Sequence, residues 1–183
     1  MQIVDLKPGD EQRIRQVAAI LVEGFKEHWP DAWPDMESAL EEVRESFEAE
    51  RISRVAIDDG TVLGWIGGII DYDGNVWELH PLVVISNHQG KGIGSALVAD
   101  LEDRVRERGG ITVRLGSDDE DNMTTLSGVD LYQNLWEQIA NIRNLKRHPY
   151  EFYQKLGYVI VGVMPDANGP GKPDIIMAKR VAG

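Results

Sequence analysis

Apolar positions Ile14, Val17, Ala18, Leu21 and Phe25 recur three and four residues apart, which predicts an amphipathic helix behind a short strand at Ile3 to Leu6. Pro8-Gly9-Asp10 separates the two. Glu27 to Pro34 holds two prolines and two tryptophans and reads as a loop, after which Leu40, Val43 and Phe47 mark a second helix. Two hairpins follow, Arg54 to Ile57 with Val62 to Tyr72, then Val76 to Ile85, joined at Asp58-Asp59-Gly60 and Asp73-Gly74-Asn75. Ile93, Ala96, Leu97, Leu101 and Val105 form a helical stripe that stops at Gly109-Gly110, and Ile111 to Leu115 is a strand. Gly116 to Asp121 is a polar, acidic loop, and Leu131, Leu135, Ile139 and Ile142 predict a further helix. A short helix from His148-Pro149 to Leu156 precedes closing strands at Tyr158 to Val163 and Ile175 to Lys179.

The order β-α-α-β-β-β-α-β-α-α-β-β describes a mixed α/β fold with antiparallel hairpins, not a doubly wound parallel sheet. No repeat, low-complexity tract or linker divides the chain, so residues 1–183 are expected to form one domain.

Hydrophobic residues make up 42% and charged residues 27%, which excludes a disordered or fibrous chain. The absence of cysteine excludes disulfides, Cys-based metal sites and an acyl-cysteine intermediate. The first ten residues carry no signal or lipidation pattern, and no run approaches the ~20 apolar residues of a membrane span. A cytoplasmic protein with no membrane partner is the expectation. The net charge of −12 repels nucleic acid and favours a cationic partner, although an acidic surface also serves solubility alone.

Gln89-Gly90-Lys91-Gly92-Ile93-Gly94 lies between a strand and a helix, where free backbone N–H groups attract a phosphate. Glycine there admits positive φ and keeps Cβ atoms away from phosphate oxygens. No Gly-Lys-Ser/Thr closes the segment, and Leu97 takes the place of the last glycine of a dinucleotide fingerprint, so both common nucleotide motifs are disfavoured. Gln-x-x-Gly-x-Gly in this setting resembles the acyl-CoA signature of the GNAT superfamily of N-acetyltransferases. Tyr150-Glu151-Phe152-Tyr153-Gln154-Lys155-Leu156-Gly157-Tyr158 resembles the closing helix of the same family.

The resemblance implies a GNAT fold, a central and mostly antiparallel mixed sheet flanked by helices. It also implies acetyl-CoA as cosubstrate and no metal. By motif position Gly90, Gly92 and Gly94, with Gln89, Lys91 and Ser95, would hold the pyrophosphate, while Leu82, Val83 and Val84 would pair with the pantetheine arm. Tyr153 matches the tyrosine that faces the CoA sulfur, where its phenol would donate a proton or a stabilising hydrogen bond to the thiolate; the alternative is an aromatic core residue.

In Trp77-Glu78-Leu79-His80-Pro81-Leu82 the strand period of two would put Glu78, His80 and Leu82 on one face. Glu78 can attract an ammonium and accept its proton, and His80 can relay it, unless the two only line a solvated face. The string resembles the matching strand of aminoglycoside 6′-N-acetyltransferases, in which this Glu and His lie at the acceptor site and the amide matching Leu82 binds the carbonyl oxygen. Asp118, Asp119 and Asp121 would bind a polycationic acceptor or form a solvated loop, and Trp29 and Tyr72 would wall a sugar ring. Trp33, Trp65 and Trp136 read as core or interface, and His148 as a local structural residue. The resemblance implies acetyl transfer to an aminoglycoside by direct attack in a ternary complex, with a homodimer as the family's usual state. Acetylation of another polyamine, a small amine or a protein amino group uses the same machinery, and a non-catalytic CoA-binding module is the reading from another class.

Overall fold

Asp10 starts the first helix by accepting the Arg13 N–H at 3.1 Å on its side chain, and the buried stripe Ile14, Val17, Ala18, Ile20 and Leu21 follows. This is α1 (Glu11–Phe25), behind strand β1 (Gln2–Asp5). Asp35 caps α2 (Met36–Glu45) in a reciprocal box with Ser38. The computed structural model describes residues 1–183, and contacts divide them into two compact units, Met1–Val113 with Val181–Gly183, and Arg114–Arg180. The expected element order is observed throughout.

In the first unit β1, β2 (Arg51–Asp58), β3 (Thr61–Asp71) and β4 (Val76–Val84) pair antiparallel in sequence order. Trp65 of β3 is fully buried among Val17 and Leu21 of α1, Val55 and Val83, and its indole N–H donates to Ser53 Oγ at 2.9 Å. Helix α3 (Ile93–Glu107) covers the other face, where Leu101 approaches Gly68. Arg54 of β2 grips Asp100 of α3 through Nε at 2.7 Å and a terminal nitrogen at 3.0 Å. The Asp100 carboxylate, followed by Asp5, pushes its guanidinium above the ordinary arginine value, so this side chain stays cationic where the sheet meets the helix. The β3–β4 connection is a tight turn over Tyr72–Gly74 in which Tyr72 (φ 47°) and Asp73 (φ 54°) join Gly74 (φ 86°) in the left-handed region.

The second unit holds β6 (Val159–Met164) and β7 (Asp174–Arg180), paired antiparallel, the greater part of β5 (Thr112–Asp118), and helices α4 (Leu135–Ala140) and α5 (Tyr150–Lys155). Two expectations change here. Strand β5 runs on to Asp118, so the acidic loop begins later than the sequence suggests. Helix α4 is much shorter than its apolar spacing implies: Asp130 accepts the Tyr132 N–H at 3.0 Å in a local turn, and Asn134 at φ 57° stops helical backbone upstream. Leu131 is buried all the same, as a loop residue. No helix is long and apolar enough to cross a membrane.

Candidate active site

Strand β4 carries the acceptor candidates and is irregular where they sit. Leu79 pairs with Gly68 and Leu82 with Ile66, so His80 and Pro81 together oppose Gly67 alone, which is a β-bulge. The extra residue resets the alternation of side chains. Glu78 pairs with Ile69, on the face that Trp65 turns toward α1, whereas Leu82 pairs with Ile66, on the α3 face. Leu82 therefore does not share a face with Glu78, contrary to the uninterrupted period of two. The correction concerns its side chain and leaves its backbone amide available. His80 is exposed, and its ring centroid lies 5.9 Å from that of Trp33. Trp33 in turn meets Phe25 edge-on at 4.6 Å. Sequence reasoning missed Trp33 as a neighbour of His80; the only signal was the duplicated Trp-Pro pair. Trp29 packs on Phe25 at 5.8 Å and is half-buried, while Tyr72 stands 69% exposed at the tip of the hairpin.

The chain leaves β4 for a turn in which Gly90 (φ 74°) and Gly92 (φ 85°) take the left-handed conformation. A Cβ at either glycine would meet nothing within 4 Å, so the turn is open around both residues. No side chain caps α3, whose first intrahelical bond runs from Ala96 N–H to Gly92 C=O at 3.0 Å. The N–H groups of Ile93, Gly94 and Ser95 therefore lack intrahelical acceptors, the arrangement that a pyrophosphate fits. Lys91 is exposed beside them. Gln89 braces the turn against the end of β4, because its backbone N–H donates to Ser86 C=O at 3.3 Å and its side-chain amide to Val84 C=O at 3.2 Å.

In the second unit Tyr153 is 8% exposed, at 5.0 Å from the Phe152 ring and 5.8 Å from that of Tyr158. Burial pushes its phenol well above the ordinary value of 10.0, because the phenolate would lose its hydration. The proton is thus retained at any physiological pH, as a donor requires. Above pH 10.0 the unfolded chain loses this proton while the folded chain keeps it, so stability complete below that pH falls as pH rises toward the folded value. A Tyr153→Phe variant should show a flatter alkaline decline in urea unfolding, and a slope equal to the parent's would exclude this effect of burial.

The three candidate aspartates have different environments. Asp119 is fully buried, and its carboxylate accepts the N–H groups of Met123 and Thr124, both at 2.7 Å. It anchors the loop and offers no oxygen to an acceptor, which corrects its assignment. Asp118 is half-buried and accepts the Asn168 side-chain amide, and Asp121 is exposed. His148 is 2% exposed: Nε2 reaches Asp118 C=O at 3.0 Å and Nδ1 accepts the Tyr150 N–H at 3.2 Å, which ties the start of α5 to the end of β5. Trp65 and Trp33 are core residues, whereas Trp136 is 72% exposed.

An uncapped helix behind a glycine turn is the arrangement of a phosphate-bearing cosubstrate site, here that of an acetyltransferase. Residues 14–135 match the acetyltransferase (GNAT) family. An aminoglycoside 6′-N-acetyltransferase solved with coenzyme A is 45% identical, with a TM-score of 0.92 over 100% of this chain and 98% of that one. The Enterococcus faecium aminoglycoside 6′-N-acetyltransferase is also 45% identical, with a TM-score of 0.90 over 100% and 98%. An aminoglycoside 6′-acetyltransferase type Ii is 39% identical, with a TM-score of 0.76 over 100% and 99%. No curated protein sequence matches the chain. The chain belongs to the GNAT acetyltransferase family, and its seven strands and flanking helices form the mixed α/β GNAT fold.

Proposed function

We propose that the protein acetylates the 6′-amino group of aminoglycosides with acetyl-CoA, by direct attack of the amine in a ternary complex, and that residues 1–183 act as one acetyltransferase domain. The observation that carries this reading is that β4 bears Glu78 and His80 at a bulge and ends in the open, uncapped turn before α3. Full-length similarity to aminoglycoside 6′-N-acetyltransferases supports the choice of acceptor. When bound, acetyl-CoA supplies an activated thioester carbonyl. The amides of Gly92, Ile93, Gly94 and Ser95, with Gly90 shaping the turn and Lys91 adding charge, hold the pyrophosphate. Backbone groups of Leu82, Val83 and Val84 align the pantetheine arm, and the Leu82 N–H polarises the carbonyl.

Glu78 attracts the acceptor ammonium and takes its proton, directly or through water, with His80 relaying it. The neutral amine nitrogen then bonds to the carbonyl carbon as the C–S bond breaks. Tyr153 gives its proton to the departing thiolate, the nitrogen sheds its second proton to water to leave the neutral amide, and water returns a proton to the Tyr153 phenolate, so Tyr153→Phe should also turn over more slowly with CoA affinity retained. Asp118 and Asp121 draw in the polycation, and Trp29 and Tyr72 flank its rings. Acetylation converts an ammonium into a neutral amide and so removes one positive charge from the acceptor, the change on which antibiotic resistance would rest. The enzyme works in the cytoplasm, where its cosubstrate is made.

A free-thiol release assay across aminoglycosides and simpler amines tests the reading, and the cysteine-free chain adds no background. Turnover that requires an unmodified 6′-amine supports it. Turnover of simple amines alone would move the protein to the wider class of amine acetyltransferases, and CoA binding without turnover would leave a binding module. A homodimer belongs to the same reading, supported by apolar groups left in solvent at Tyr132 (74%), Trp136 (72%), Val159 (60%) and Val161 (50%). Sedimentation as a monomer at micromolar concentration would exclude it.

A further inference from the structure

We infer that Gly67 of β3 is a positioning residue for the acceptor strand, because the absence of a Cβ there lets the His80 carbonyl fold over β3 and so aims the Glu78–His80 segment. The inference rests on the proposed roles of Glu78 and His80. A Cβ built at Gly67 would fall on the His80 carbonyl oxygen, 3.1 Å from its carbon and 3.4 Å from Pro81 Cδ. The register supplies an independent observation, since His80 and Pro81 are the two bulge residues that oppose Gly67 alone. The backbone of Gly67 is not in the left-handed region, so an alanine could adopt its conformation. Space alone excludes the side chain.

The identity of the colliding atom matters. At Gly24 the obstacle is Val83 Cγ2 at 2.7 Å, and at Gly68 it is Leu101 Cδ1 at 2.8 Å; both are ends of side chains that can turn aside. At Gly67 the obstacle is main chain, and it belongs to the residue that carries the imidazole. To restore ordinary van der Waals separation the carbonyl must retreat by on the order of 1 Å. The peptide moves with it, and a misplacement of that size can cost roughly 10²-fold in rate. The glycine turn lies beyond the bulge and keeps its own geometry.

The test compares Gly67→Ala with Gly68→Ala, whose collisions are with Leu101 and Ile52 on the α3 face. Gly67→Ala should lower kcat/KM for the aminoglycoside by roughly 10²-fold, mostly in kcat, with CoA affinity unchanged. It should also shift the imidazole proton resonance of His80, identified with His80→Gln among the four histidines. Gly68→Ala should leave both readouts in place even if it lowers stability. An unmoved His80 resonance in Gly67→Ala, unaltered acceptor kinetics, or the same losses in Gly68→Ala would each overturn the inference. If no aminoglycoside is acetylated by the parent protein, the proposed acceptor falls, while the His80 resonance still decides the positioning role. If Gly67→Ala does not fold, the parent decides: the Gly67 Hα that faces the His80 carbonyl should resonate well downfield of its partner, and equivalent Hα shifts would overturn the contact.

Discussion

Replacing Glu78 by glutamine is expected to lower kcat/KM toward an aminoglycoside by at least ~10²-fold, equivalent to about 2.7 kcal/mol of transition-state stabilisation. Glutamine keeps the size and hydrogen-bonding reach of the side chain and removes its charge and basicity. Glu78 pairs with Ile69 before the bulge, and the α3 turn lies beyond it, so binding of CoA to the first-turn amides should be unchanged. The loss should shrink as pH rises, because solvent then removes the ammonium proton that a base at Glu78 would take. Steady-state kinetics across pH, with CoA affinity measured separately, check this. A variant within about threefold of the parent at every pH would remove Glu78 from the role of base.

Much of this arrangement is legible in the sequence because its causes are local. The apolar spacing of α1 and α3, the Asp10 cap and the position of Gly92 each depend on a few consecutive residues, and the element order follows from them. A period of two misplaces Leu82 for a reason that is not local. The phase of β4 changes at His80-Pro81 because Gly67, on a different strand, leaves room for a bulge, and strict alternation assumes that none occurs. Apolar spacing overextends α4 because it does not distinguish a buried loop residue such as Leu131 from a helical one. Trp33 is a core residue, as its sequence context suggests, yet its ring also neighbours that of His80. A residue with both duties gives no separate signal in one sequence.

Asp119→Ala is expected to cost about 2–6 kcal/mol of stability, because two buried N–H groups lose their acceptor at about 1–3 kcal/mol each. The native carboxylate takes the Met123 and Thr124 N–H groups, and the Asp119 N–H donates to Pro173 C=O at 2.9 Å, so one residue ties the loop after β5 to the segment before β7. Asp119→Asn should cost less, since the amide oxygen can still satisfy one donor while its NH2 group opposes the other. Urea unfolding measures both, and an Asp119→Ala cost below about 1 kcal/mol would show that water replaces the carboxylate. Asp121, in the same acidic run but exposed, gives the contrasting case. Asp121→Ala should leave stability nearly unchanged and raise KM for a polycationic acceptor, most clearly at low salt where the charge is least screened. Neighbouring aspartates thus separate by environment: the buried one anchors the loop of its unit, and the exposed one is the candidate for contact with a substrate.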